Sequence, residues 1–178
     1  MIDHTLSKGQ HKTREDGMCA MEFVAHLGGE EHSDRPKCVD PALRRFVIGL
    51  NDNLPDDLRQ QLRPYLARMI GTAGDGRTEE RLYMLAEWTI RVAETLQVRV
   101  VGPWDTAAAS VTGRLAKAPT FDLGAAGIAD DAIAVTLRAA GVDTRAMWVE
   151  LLPSALELLD RMLPAEAIAG SVSGHVLN

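Results

Sequence analysis

Apolar residues in this chain recur at helical spacing and hardly anywhere at alternate positions, which restricts the fold to packed helices. Leu43, Phe46, Val47 and Leu50 follow an i, i+3, i+4, i+7 pattern. Leu58, Leu62, Leu66 and Met69 line one face of a second stretch, and Leu82, Leu85, Val92 and Leu96 form the stripe of a third, with Trp88 nearby. The one short β-like run, Val98 to Val101, is broken by Gly102-Pro103 and has no partner strand, so it reads as an extended connection. Composition points the same way. Ala and Leu are abundant, aromatic residues make up only 4%, and unbranched residues lose little side-chain freedom in a helix.

Helix punctuation divides the chain. Residues 1–14 are polar and aperiodic and read as a flexible arm. A first helix runs from Met18 to Leu27, apolar on nearly every side, and Gly28-Gly29 stops it. Residues 30–39 form a loop. Asp40-Pro41 then supplies an N-cap followed by a proline at the first helical position. That helix ends at Asn51-Asp52-Asn53. Pro55-Asp56-Asp57 opens the next, which Pro64 kinks or splits. Gly71 to Gly76 is a turn-rich linker, and Thr78 begins the longest helix. Further helices are expected from Asp105 to about 118, from Asp130 or Asp131 to Gly141, and from Asp143 to Pro164, with Pro153 inside the last. The end of the chain, 170–178, reads as a flexible tail. The expectation is an all-α, single-domain orthogonal helical bundle of about seven or eight helices spanning 15–169. A composition shift near Val100 offers a subdivision. We read one domain, because neither half alone has much core to bury.

The 178 residues carry a net charge of −6, which disfavours a general nucleic-acid binder, since phosphate neutralisation needs a basic surface. A local face built on Arg44, Arg45, Arg59 and Arg63 is the weaker option. No apolar run is long enough to cross a bilayer, and no secretory signal is visible at the N-terminus. Two cysteines without such a signal point to a reducing, cytoplasmic setting. Gly71 to Gly76 lacks the Gly-Lys-Ser/Thr ending of a phosphate loop. Ser110, Ser154 and Ser173 have no adjacent base or elbow motif.

One segment has the residue types of a site. Cys19, Glu22 and His26 fall at i, i+3 and i+7, which places them on one helix face. His32, Asp34 and Cys38 follow in the next loop, and Gly28-Gly29 lets the chain fold back. Cys19, His26, His32 and Cys38 are a complete zinc ligand set by type. With Glu22 as a base, three of them would make an open catalytic site. The spacing contains neither C-x-x-C nor H-E-x-x-H. Inert packed thiols, a bound metal, and a disulfide or reactive thiol therefore all fit.

The string Met18-Cys-x-x-Glu22, followed by Gly29-Glu30, Ser33-Asp34-x-Pro36-x-Cys38 and Pro41, resembles an uncharacterised family of small bacterial and phage-borne helical proteins. Asn51-Asp-x-Leu-Pro55-Asp56 and Leu85-Ala-Glu-Trp88-x-x-Arg91 extend the likeness over about residues 17–92. The resemblance implies that Cys19, Glu22, Asp34 and Cys38 belong to the family pattern, with His26 and His32 fitting it less clearly. It implies no activity. Two functions are in view. One is a non-enzymatic accessory protein acting on a protein partner, with the Cys19–Cys38 region as a structural staple, with or without zinc. The other is a metal- or thiol-dependent enzyme with Cys19 as ligand or nucleophile and Glu22 or Asp34 as general acid/base.

Overall fold

A computed structural model describes residues 5–95 and 144–165. The helices expected at 105–118 and 130–141, the extended connection at 98–101 and the tail at 170–178 lie outside the described residues. The observed helices are α1 (Ala20–Leu27), α2 (Pro41–Asn53), α3 (Asp56–Arg59), α4 (Arg63–Leu66), α5 (Thr78–Thr95) and α6 (Thr144–Met162). Short 3-10 turns follow α3 and α4. The described part is all-α, and its one β pairing is an isolated parallel bridge between Leu6 and Met18.

Local chemistry accounts for the boundaries. The Asp40 carboxylate accepts from the N–H groups of Ala42 and Leu43, and Pro41 occupies N1, so α2 starts where expected. It runs on through Asn51-Asp52-Asn53 to Leu54, whose N–H still reaches Leu50. The buried Arg59 guanidinium then ties off carbonyls that the end of the helix leaves open. Its Nε donates to Asn51 O and its Nη2 to Leu54 O. The stretch expected to be kinked at Pro64 is split instead into α3, a 3-10 turn, α4 and a second turn, because Pro64 has no N–H to give. Pro153 leaves α6 unbroken.

α1 packs on α2 and α4, α2 on α5, and α5 on α6. One apolar core joins them. Its fully buried members include Met21, Leu43, Phe46, Leu50, Leu62, Leu66, Met69, Leu85 and Trp148. Phe46 meets Trp88 edge to face at 5.6 Å between ring centres. Among the described residues no helix is long and apolar enough to cross a membrane.

The N-terminal segment departs from expectation. In place of a free arm, residues 5–17 lie along the helical body. Leu6 is 1% exposed and belongs to the core. Gln60 mimics a neighbouring strand, accepting from Leu6 N and donating to Leu6 O, both at 2.9 Å. Ser7 N donates to Met18 O at 2.9 Å, and Asn51 Nδ2 donates to Ser7 O at 3.0 Å. A single apolar residue in a polar stretch has no periodicity to announce it. Backbone pairing with side-chain amides from α2 and the turn after α3 holds the segment in place.

Candidate functional site

Helix α1 begins with a capping box in which sulfur stands in for the usual hydroxyl oxygen. Glu22 N donates to Cys19 Sγ at 3.4 Å, and Glu22 Oε2 accepts from Cys19 N at 2.8 Å. The Cys-x-x-Glu spacing is thus the Ser/Thr-x-x-Glu cap with a thiol in the first position. Reaching back to the helix start turns the Glu22 carboxylate toward the N-terminal segment. There it accepts His11 N on Oε1 at 2.7 Å and His11 Nδ1 on Oε2 at 2.8 Å. His32 Nε2 lies 3.6 Å from Oε1 and bonds His11 O at 3.1 Å. Glu22 itself has no exposed surface. Burial works against its charge, but the N–H groups of Cys19 and His11 and the His11 imidazole outweigh that and hold the carboxyl below its ordinary value of 4.5.

The chain of contacts continues outward. His11 Nε2 is 2.9 Å from Ser7 Oγ, and the Ser7 hydroxyl donates to Met18 O at 3.3 Å. Facing an ionised Glu22, which can only accept, His11 Nδ1 is the donor of that bond. Gly17 closes over this pair with φ +129°, and a Cβ there would fall 2.9 Å from Ser7 Oγ and 3.0 Å from the His11 ring.

The expected site residues are redistributed. Glu22 meets Cys19 and lies 3.6 Å from His32. Asp34 is half-buried, accepts from Gln10 Nε2 at 3.4 Å, and shares with Cys19 the wall of a cavity of about 30 Å3. That is room for about one water molecule. His26 is exposed in the last turn of α1, where a basic residue suits the helix dipole. Cys38 sits at the far end of the same helix, its Sγ 3.3 Å from where a Gly28 Cβ would stand, and its N–H on Glu30 Oε1 at 2.8 Å. Cys19 and Cys38 therefore flank an eight-residue helix about 12 Å long. A disulfide needs Cα atoms within about 7 Å, and both cysteines are free thiols. The Cys19/His26/His32/Cys38 set is not assembled in this structure. Among the described residues no group of three or more His, Cys, Asp or Glu side chains is arranged to hold a metal ion. The one-face expectation fails because Cys19 is the cap and Glu22 folds back toward it, while His26 follows the helix outward.

Burial pushes the Cys19 thiol up to about 12 and the Cys38 thiol up to about 11, the latter with help from the Glu30 carboxylate. Both are protonated at neutral pH, the opposite of what a nucleophilic cysteine needs. Of the arginines considered for phosphate, Arg59 is 3% exposed and engaged with Asn51, Leu54 and Asp56. Arg63 lies over the Phe23 ring.

Ser7, His11 and Gly17 escaped the sequence reading. Helical spacing singles out residues on one face of a helix, and these three sit in an extended segment where that spacing carries no geometric meaning. The available signal was the cap. A Glu at the third position of a capped helix aims its carboxylate at whatever precedes the helix. Compared with known proteins, the chain matches no family model, no curated protein and no solved structure.

Proposed function

We propose that the protein is an accessory protein of the reducing cytoplasm that works by presenting its helical body, a single orthogonal bundle of about seven or eight helices, to a protein partner. The reading takes in the resemblance over residues 17–92 to the small bacterial and phage-borne helical family. In this reading Cys19 and Cys38 are structural staples, one at each end of α1. The observation that carries it is the use of both cysteines. Cys19 Sγ is the helix cap, and Cys38 seals the helix end against Gly28 while its N–H binds Glu30. Both thiols are held protonated. A thiol nucleophile or a two-thiolate zinc site is supported less well, because the sulfurs stand at opposite ends of a helix.

Metal content of protein purified under reducing conditions, with Cys38→Ala as control, tests the staple. Metal-free protein that loses stability in Cys38→Ala, while Cys19→Ser, which keeps a capping group, stays folded, fits it. One equivalent of zinc that disappears in Cys38→Ala would replace it with a metal centre. The accessory role itself fails if the pure protein turns over a small molecule and Cys19→Ser keeps the fold but abolishes the turnover.

A further inference from the structure

We propose that Ser7, His11 and Glu22 form a hydrolytic relay that cleaves carboxylic esters. The hydrogen-bond chain has the order such chemistry needs. A hydroxyl faces Nε2 of an imidazole at 2.9 Å, and Nδ1 of the same ring faces a carboxylate at 2.8 Å. The proposal goes beyond the accessory role and does not depend on it, since inert thiols and an active serine are compatible.

Three features separate this chain from an incidental contact. First, both reacting residues are fixed through their backbone. Ser7 N binds Met18 O and Ser7 O receives Asn51 Nδ2; His11 N binds Glu22 Oε1 and His11 O bonds with His32 Nε2. A nucleophile and base held in this way need little reorganisation before attack. Second, the carboxylate has no exposed surface, while the His11 side chain is 14% exposed and Ser7 is partly exposed. The orienting acid is dry and the reacting end meets solvent. Third, Gly17 covers the Ser7–His11 pair so closely that only a residue without a Cβ fits. An ester asks least of the relay, because its alkoxide leaves with only the proton from His11.

The step balances with water as the one co-reactant. Ser7 Oγ forms a bond to the ester carbonyl carbon as its proton passes to His11 Nε2. The C–O bond to the alcohol breaks, and the alcohol takes that proton. Water then adds to the acyl-Ser7 carbonyl, giving a proton to His11, and the Ser7–acyl bond breaks with return of the proton to Ser7 Oγ. One carboxylic acid and one alcohol result. Ser7 and His11 are catalytic residues; Glu22 is a positioning residue acting through His11.

The test uses the full-length protein with p-nitrophenyl acetate and butyrate, and separately a fluorophosphonate probe followed by intact-mass measurement and peptide mapping. One probe per chain on Ser7 is expected. Ser7→Ala should abolish the adduct and lower kcat/KM by about 1,000-fold or more. Cys19→Ser, which removes background reaction of a thiol, should leave turnover in place. His11→Ala should lose turnover and regain part of it with added imidazole. Glu22→Gln should lower kcat more than it raises KM and move the acid limb of the pH profile. If the His11 and Glu22 variants unfold, Ser7→Ala, which removes a single oxygen, still decides. A folded protein that gives no adduct on Ser7 overturns the relay, and so does ester turnover that survives Ser7→Ala unchanged or vanishes in Cys19→Ser.

Discussion

A carboxylate without exposed surface stays ionised only when donors replace the water it has lost. Glu22 meets this condition with the N–H groups of Cys19 and His11 and the His11 ring. Glu22→Ala would leave all three donors unmatched, and the expected loss is about 3 kcal/mol or more in urea denaturation at pH 7. A loss under about 1 kcal/mol would show that the donors find other acceptors. The sign of the pH effect follows from the depressed folded value. Stability contributed by Glu22 is full above the ordinary 4.5 and is lost as the pH falls through the lower folded value. The thiols act in the opposite direction. Their folded values are raised, so their contribution is full below the ordinary 9.0 and is lost as the pH climbs toward about 11 for Cys38 and about 12 for Cys19. A Cys19→Ser, Cys38→Ala double variant should therefore lose less stability than the parent between pH 8 and about 10.5, read from denaturation midpoints. At this scale Cys19 and Glu22 were legible as a pair, but as two residues of a face. That they are a cap, and that His26 is not with them, depends on which way Glu22 folds.

Elements meet through two glycines. Gly17 combines φ +129° with a forbidden Cβ position over Ser7 and His11. Gly17→Ala should cost about 2 kcal/mol from strain and displacement and should make residues 5–17 the first site of limited proteolysis. Equal resistance in parent and variant would contradict the docking role given to this turn. Gly28 poses a different problem. Its φ of −78° suits any residue, yet a Cβ would press on Cys38 Sγ at 3.3 Å. Gly28→Ala should gain up to about 1 kcal/mol in a Cys38→Ala background and little or nothing in the parent. A thermodynamic cycle measures the coupling; additive effects would mean that the thiol moves aside freely. The Gly28-Gly29 stop was visible in the sequence as a helix end. Its contact with Cys38 was not, because the loop between Glu30 and Val39 has no period from which to place a side chain.

Across the whole molecule, the buried Arg81 ties the distant helix ends together. It is 0% exposed, its Nη1 lies 3.3 Å from the equally buried Asp40 at the start of α2, its guanidinium binds Asp75, and its Nε donates to Met162 O at the end of α6. Asp40 N in turn binds Thr72 Oγ1, and the N–H groups of Gly71 and Ala73 bind Cys38 O. The linker read as a turn-rich connection is thus bolted to the loop that carries Cys38. Arg81→Met removes the counter-charge of the buried Asp40 carboxylate, which keeps the Ala42, Leu43 and Thr78 donors, and should cost about 3 kcal/mol, with part of the loss recovered by adding Asp40→Asn. A chemical-denaturation series on the two single variants and the double variant checks this. No loss in Arg81→Met would show that water reaches Asp40.

What the sequence determined by itself was local. Apolar period, Asp40-Pro41, Pro64 and Gly28-Gly29 set where helices form, start, split and stop, because capping and backbone sterics act within a few residues. Tertiary structure decided everything that required two distant segments to meet. It put Leu6 in the core, turned a polar arm into a docked strand-like segment, and separated Cys19 from Cys38 by the length of α1. It also brought Ser7 and His11 to Glu22. A buried carboxylate recruits whichever donors the packing brings to it, and the positions of those donors along the chain leave no periodic trace.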